Sequence, residues 1–111
     1  MKPTHPICTL ATKLERWPLD SLHPEERNAR THSREQVEQI ASSIERFGFN
    51  NPILIDAAGG IIAGHGRLEA AMLLGLDDVP VVLLEHLTPA ERRAYLIADN
   101  RLAELAEWDQ L

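Results

Sequence analysis

The chain is poor in aromatic residues and contains a single cysteine. Phe, Trp and Tyr make up 5% of its 111 residues, so aliphatic side chains must fill most of a core. With Cys8 as its one thiol, the chain has neither an internal disulfide nor a cysteine-based zinc site. It also lacks an apolar run long enough to span a membrane, and its first residues are too polar for a signal peptide. We therefore expect a cytoplasmic protein with no membrane partner.

Basic residues are scarce over most of the chain. There are 11 Lys and Arg against 17 Asp and Glu, a net charge of −6. Residues 1–34 contribute +2, from six basic and four acidic residues, and residues 35–111 contribute −8, from five and thirteen. Sequence-independent DNA binding needs several basic contacts to phosphates, which such an acidic body does not offer. We expect any contact with DNA to be made through a fused or partner domain.

Several catalytic signatures are missing as well. The sequence contains no nucleophile elbow, no pair of histidines at metal-binding spacing and no G-x-x-x-x-G-K-[ST] phosphate loop. Its five histidines are scattered, and each is expected to be a surface or hydrogen-bonding residue. We therefore predict no metal site.

The apolar pattern that is present predicts an α+β domain, with a small mixed sheet and packed helices. Residues 1–16 are expected to form a flexible lead-in, and residues 17–111 a single domain. Ser33 with Gln36, and Thr88 with Glu91, have the spacing of helix capping boxes. The predicted helices are Ser33–Phe47, about Gly66–Leu74 and Thr88–Ala98, with an interruption at Ala98–Arg101 before a further helical stretch. A strand is predicted within Ala11–Asp20, and a shared sheet from Ile53–Ala57, Ile61–Ala63 and Val81–Leu84.

The stretch AGHGR, Ala63–Arg67, joins a predicted strand to a predicted helix. A helix start offers unpaired N–H groups and the positive end of the helix dipole. Gly64 and Gly66 would let a phosphate approach the backbone, and Arg67 would add a bidentate cation. The alternative is a glycine-rich turn followed by a surface Arg, because a G-x-G spacing is a weak signal on its own.

Two other stretches could complete such a pocket. Asn28 and Arg30 lie in a polar loop ahead of a helix, which is equally typical of a solvated loop. Asn100 and Arg101 follow Asp99 in the last helical segment, where Asp and Asn compete with the helix for backbone hydrogen bonds. Asn100 could bind a ligand there, or it could cap a junction between two helices.

Together these stretches resemble the N-terminal domain of the ParB/sulfiredoxin superfamily, often called the ParB-like nuclease domain. The similarity runs from about Trp17 to Trp108. It is carried, in this order, by RNARTHSREQVEQIASSIERFGFNNPILID, IIAGHGRLEAAMLLGLDDVPVVLL and IADNRLAEL. In the second stretch ParB reads Gly-Glu-Arg-Arg and sulfiredoxin Gly-Cys-His-Arg. The variant GHGR looks most like the ParB-like domains found ahead of DNA methyltransferase domains in phage and prophage proteins.

The resemblance implies a nucleotide pocket, which binds CTP in ParB and ATP in sulfiredoxin and related serine kinases. Gly64 and Arg67 match the family's phosphate-contacting Gly and Arg, and Asn100 matches the Asn of its later box. His65 replaces the Glu that ParB needs for hydrolysis and the catalytic Cys of sulfiredoxin, so sulfiredoxin chemistry is lost. The cofactor expected is CTP or ATP with Mg²⁺. The expected binding residues are Gly64, His65, Gly66, Arg67, Asn100, Arg101, Asn28 and Arg30, with His65 as the candidate catalytic residue.

The resemblance leaves three hypotheses for function. The first is a nucleotide-binding domain that regulates or targets a DNA-processing, DNA-modification or partition system, with DNA reached through a fused or partner domain such as a methyltransferase. The second is an active nuclease or nucleotide-dependent phosphotransferase, in which His65 acts as base or nucleophile. The third is an interaction domain with a vestigial pocket. A homodimer is compatible with each.

Overall fold

A computed structural model describes residues 13–24 and 32–109 of the chain. They form a four-stranded mixed sheet and three helices, as the α+β prediction required. The strands are β1 (Lys13–Pro18), β2 (Ile53–Ile55), β3 (Ile61–Ala63) and β4 (Asp78–Leu83), and the helices are α1 (Arg34–Phe47), α2 (His65–Leu74) and α3 (Pro89–Asp109). β1 begins before the expected domain boundary at residue 17, and a single 3₁₀ turn, Leu19–Ser21, follows it. The flexible lead-in predicted for residues 1–16 is wrong for residues 13–16, which pair with β4 as part of β1, and residues 1–12 lie outside the described part.

The strand order in the sheet is β1-β4-β2-β3. β4 pairs antiparallel with β1 and parallel with β2, and β2 pairs antiparallel with β3. The parallel pair requires a crossover, which α2 supplies between β3 and β4. The strands expected to share a sheet do so, although β2 ends at Ile55 and β4 at Leu83, earlier than predicted.

The core lies between this sheet and the helices. Its fully buried members are β-branched side chains of the central strands, joined by Leu68 and Ala71 from α2. α1 packs against α2, and α3 packs against β3. The largest fully buried side chains are Ile53, Ile55, Ile62, Val79 and Val81.

Both predicted capping boxes are confirmed. The Gln36 N–H donates to Ser33 Oγ at 3.1 Å, and the Ser33 N–H donates to Gln36 Oε1 at 3.1 Å. At α3 the Glu91 N–H donates to Thr88 Oγ1 at 3.1 Å, and the Thr88 N–H donates to Glu91 Oε1 at 3.0 Å. The two helices therefore begin where the sequence predicted.

The predicted interruption at Ala98–Arg101 is wrong. α3 continues without a break from Pro89 to Asp109. Asp and Asn in a helix interior cost only some tenths of a kcal/mol each relative to Ala, and the Leu, Ala and Glu residues around them are strong helix formers. The helix preference of the flanking residues outweighs the unfavourable contributions of Asp99 and Asn100.

Candidate functional site

Gly64 lies between β3 and the first turn of α2, as the sequence predicted. Its φ of 106° places it in the left-handed region, which favours glycine. A Cβ at this position would lie 3.3 Å from Ile53 Cα and 3.1 Å from Arg67 Nη1. Gly64 therefore lets the chain turn sharply into α2 and lets the Arg67 side chain pass close to the backbone.

Arg67 is half-buried, unlike the surface Arg of the alternative interpretation of this turn. Its Nη1 donates a hydrogen bond to the Pro52 carbonyl oxygen at 3.2 Å. This contact fixes one corner of the guanidinium group. The side chain is therefore directed toward the loop that precedes β2.

Arg67 points into a cleft of about 470 Å³ between α1 and the loop before β2. This volume lies within the range of small-molecule sites, and the mixture of apolar walls with a few polar groups is typical of them. Phe47, one of the lining residues, is 66% exposed. The cleft is lined by Ile40, Ser43, Ile44, Phe47, Gly48, Phe49, Asn50, Asn51 and Arg67.

Of the residues that line this cleft, only Arg67 was among the predicted site residues. The segment GFNN, Gly48–Asn51, was the one local hint of this part of the cleft, because two Asn side chains follow the glycine that ends a helix. Gly48 is the C-terminal cap of α1. Its place beside Arg67 depends on the packing of α1 against α2, a contact that no local pattern encodes.

Gly66 lies in the first turn of α2, where neighbouring side chains leave no room for a Cβ. A Cβ there would lie 3.0 Å from Nε2 and Cδ2 of His32 and 3.0 Å from Cδ1 of Ile40. The space freed by the missing side chain is thus filled by His32 and α1. The His32 ring is largely buried, and its Nδ1 lies 3.7 Å from Glu69 Oε2. Gly66 therefore allows close packing on the side of α2 that faces α1.

His65 is the first residue of α2 and is 8% exposed, so it is not a surface histidine. Arg101 is exposed on α3. Asn100 belongs to α3, but its side chain lies outside the described part, as do the predicted site residues Asn28 and Arg30. The structure thus places Gly64, His65, Gly66 and Arg67 at one helix start, and the contributions of the other segments stay predictions.

Within the described residues, no three His, Cys, Asp or Glu side chains are grouped as metal ligands would be. None of the described helices has the length and apolar character needed to cross a membrane.

Comparison with known proteins places these features in a family. Residues 9–100 match the ParB N-terminal domain. The chain is 54% identical over 76 residues to the ParB-like nuclease domain-containing protein YnaK of Escherichia coli, covering 68% of this chain and 87% of YnaK. It is 33% identical over 89 residues to the chromosome-partitioning protein Spo0J of Thermus thermophilus, covering 77% of this chain but only 33% of Spo0J.

Solved structures agree with these matches. The C-terminally truncated chromosome-partitioning protein ParB of Caulobacter crescentus, complexed with CTP-γ-S, superposes with a TM-score of 0.69 at 28% identity, over 80% of this chain and 53% of that one. Sulfiredoxin of Arabidopsis thaliana superposes with a TM-score of 0.64 at 22% identity, over 77% of this chain and 98% of sulfiredoxin, which shows a shared fold alone.

Proposed function

This chain belongs to the ParB N-terminal domain family, and from that premise we propose that it is a nucleotide-binding domain that serves a DNA-processing system. The ligand is a nucleoside triphosphate, CTP or ATP, bound with Mg²⁺. Its phosphates lie at the start of α2, where Arg67 and the first backbone N–H groups of the helix offer positive charge. The role is to regulate or target a partition or DNA-modification system, and DNA is reached through a fused or partner domain such as a methyltransferase.

The observation that carries this proposal is the placement of Arg67. Gly64 brings the guanidinium group close to the helix start, and the hydrogen bond to Pro52 aims it at the cleft. A cation in the first turn of a helix is unfavourable beside the helix dipole unless an anion offsets it. The residues present therefore fit an anionic ligand, and the adjoining cleft is large enough for the rest of a nucleotide. The CTP-γ-S complex of the Caulobacter relative supports the choice of CTP.

The direct test is a calorimetric titration of the chain with CTP, ATP and GTP, each with and without Mg²⁺. Arg67→Ala should weaken binding of the preferred nucleotide by one to two decades, because a charge-assisted contact contributes roughly 1.5–3 kcal/mol. Since Arg67 also donates to Pro52, the variant should lose about 1 kcal/mol of unfolding free energy as well.

Arg34→Ala is the matched control for Arg67→Ala. It removes the same charge from a side chain that is 81% exposed and paired with Glu38 at the start of α1. The control should bind nucleotide within about twofold of the wild type. Absence of binding by the wild type at millimolar nucleotide would refute the proposal and leave an interaction domain with a vestigial pocket.

A nuclease or phosphotransferase is the second candidate, because the E. coli relative carries the word nuclease in its name. His65 would be the base or nucleophile. Its burial disfavours this role, since a general base has to reach the proton that it removes. Incubating the chain with supercoiled plasmid and Mg²⁺ tests it: cleavage that His65→Ala abolishes would favour the enzyme over the binding domain.

A further inference from the structure

The two edges of the sheet differ in how they are covered. At the β3 edge the segment that follows the 3₁₀ turn lies alongside the strand. The His23 N–H donates to the Gly59 carbonyl at 2.8 Å, and the Ile61 N–H donates to the His23 carbonyl at 3.0 Å. At the opposite edge, β1 pairs with β4 alone among the residues that the structure describes. The unpaired backbone groups of an edge strand are a template for a strand of another chain.

The backbone groups of Leu14 point out of this β1 edge. The Leu84 N–H donates to the Ile55 carbonyl at 2.9 Å, so Leu84 directs its backbone groups toward β2. Adjacent residues of a strand direct these groups to opposite sides, so Leu83 directs its own toward β1, where it is paired with Lys13. The backbone of Lys13 therefore faces β4, and the N–H and C=O groups of Leu14, the next residue, face away from β4.

The Leu14 side chain is exposed at the same place. Leu14 is 70% exposed and is paired with Val82, whose neighbours Val81 and Leu83 are buried in the core. Because side chains alternate between the two faces of a sheet, Leu14 lies on the face opposite this core. A second strand added at the edge would remove part of this apolar surface from water, which favours association.

The charges on β1 restrict how a second copy can pair with it. In a twofold antiparallel pair of β1 strands, residues with outward backbone groups lie opposite one another, so the axis passes through a residue. An axis through Glu15 or Arg16 would place a charged residue opposite its own copy, which is unfavourable. Pro18 has no N–H to donate and excludes an axis near the end of the strand. An axis through Leu14 places two leucines opposite one another, and it places Glu15 opposite position 13, a lysine in the sequence.

We propose that the β1 edge is a self-association surface, at which two copies of this domain pair their β1 strands antiparallel around a twofold axis at Leu14. The Leu14 N–H of each copy donates to the Leu14 carbonyl of the other. Such an interface is isologous, because both copies contribute the same residues. β1 lies three strand spacings, about 14 Å, from β3. The two copies then share one continuous sheet with a Gly64–Arg67 loop near each outer edge, and the proposal does not rest on the proposed function.

Analytical ultracentrifugation of the full chain without nucleotide measures this association. A short edge-strand interface belongs to the weak class, so the dimer fraction should rise between about 10 μM and 1 mM. Leu14→Lys should raise the dimer dissociation constant about tenfold, because it sets like charges opposite one another at the axis. Met72→Lys is the matched control: Met72 is 65% exposed on α2, and this variant should dimerise as the wild type does.

Amide hydrogen exchange of the wild type, followed by NMR, tests which residue lies at the axis. The Leu14 N–H should gain protection as the protein concentration rises. The Glu15 N–H faces β4 and should be protected at every concentration. Glu15→Gln should weaken the dimer or leave it unchanged, because Glu15 does not lie opposite its own copy.

A chain that stays monomeric at about 1 mM would overturn the proposal. A dimer that Leu14→Lys leaves intact would form through another surface and would also overturn it. Protection of the Leu14 N–H that does not vary with concentration would show that the β1 edge is paired within one copy. A tighter dimer in Glu15→Gln would place the axis at Glu15 and refute the pairing at Leu14. The exchange measurement uses the wild type, so it decides even if a variant does not fold.

Discussion

Gly64 and Gly75 stand at the two ends of α2, both with left-handed backbone torsions. They differ in their surroundings: a Cβ on Gly64 would press on Ile53 and Arg67, whereas a Cβ on Gly75 would meet nothing within 4 Å. Gly75→Ala should therefore cost about 1–2 kcal/mol, the strain of the torsion alone. Gly64→Ala should cost roughly 1–3 kcal/mol more, because the crowded neighbours must also move.

Urea unfolding of the two variants measures this difference directly. Gly64→Ala should also reduce nucleotide affinity, while Gly75→Ala, at the far end of the helix, should not. Equal unfolding free energies for the two variants would show that Ile53 and Arg67 move aside without cost. The crowding at Gly64 would then have no part in setting the direction of Arg67.

The strand-to-helix junction at Gly64–Arg67 was predicted correctly, because its signal is local. A glycine between a strand and a helix, followed by an Arg in the first turn, indicated the Gly64–Arg67 junction. The surroundings of those residues were not predictable, because they depend on distant segments. Arg67 contacts Pro52, and Gly66 faces Ile40. Such contacts follow from tertiary packing, which cannot be predicted from the spacing of glycines.

Among the elements, α1 and α3 begin with the same capping box but differ in its chemistry. The side chain that returns to the cap residue is Gln36 in α1 and Glu91 in α3. The Thr88 backbone N–H, and to a lesser degree the Thr88 hydroxyl, hold the pKa of Glu91 below its ordinary value of 4.5. The capping box of α3 therefore contains an ionisable side chain, whereas the capping box of α1 does not.

The sign of the effect follows from the direction of the shift. A carboxyl group with a lowered folded-state pKa contributes stability above its ordinary value of 4.5, and this stability is lost as the pH falls through the lowered value. Glu91→Gln keeps the hydrogen-bonding pattern, as Gln36 shows, but removes the charge. The wild type should be more stable than Glu91→Gln at pH 7, and the difference should disappear in acid. Denaturant unfolding at several pH values tests this, and a pH-independent difference would contradict it.

For the helices and strands too, features set by neighbouring residues were predictable, and features set by distant segments were not. Both capping boxes were predicted because a cap involves residues three apart. The continuity of α3 was missed because Asp99 and Asn100 were given more weight than the helix formers around them. The parallel pairing of β2 with β4 was not specified by the sequence pattern, because pairing partners are set by the crossover and not by either strand.

At the scale of the whole molecule, nucleotide binding and DNA binding require different distributions of charge. The proposed nucleotide site requires one local cationic loop, which Arg67 and the start of α2 would provide. Duplex DNA requires several basic contacts spread along a surface. Residues 35–111 carry five basic and thirteen acidic side chains, so most of this domain repels the DNA backbone. The chain spans 53% of the Caulobacter ParB chain and 33% of Spo0J, so the chromosome-partitioning role in the names of those proteins does not transfer to it by similarity alone.

We therefore expect this chain to bind random duplex DNA weakly, with a Kd of about 10⁻⁴ M or weaker at physiological salt. Fluorescence polarisation with a labelled duplex of random sequence measures it, in the presence and absence of CTP and Mg²⁺. Few phosphate contacts also predict a shallow salt dependence, since each contact adds about one to the slope of log K against log salt. Sub-micromolar binding with a steep slope would show that basic side chains gather on one face despite the net charge of −6. The domain would then contact DNA itself and would need no partner to reach it.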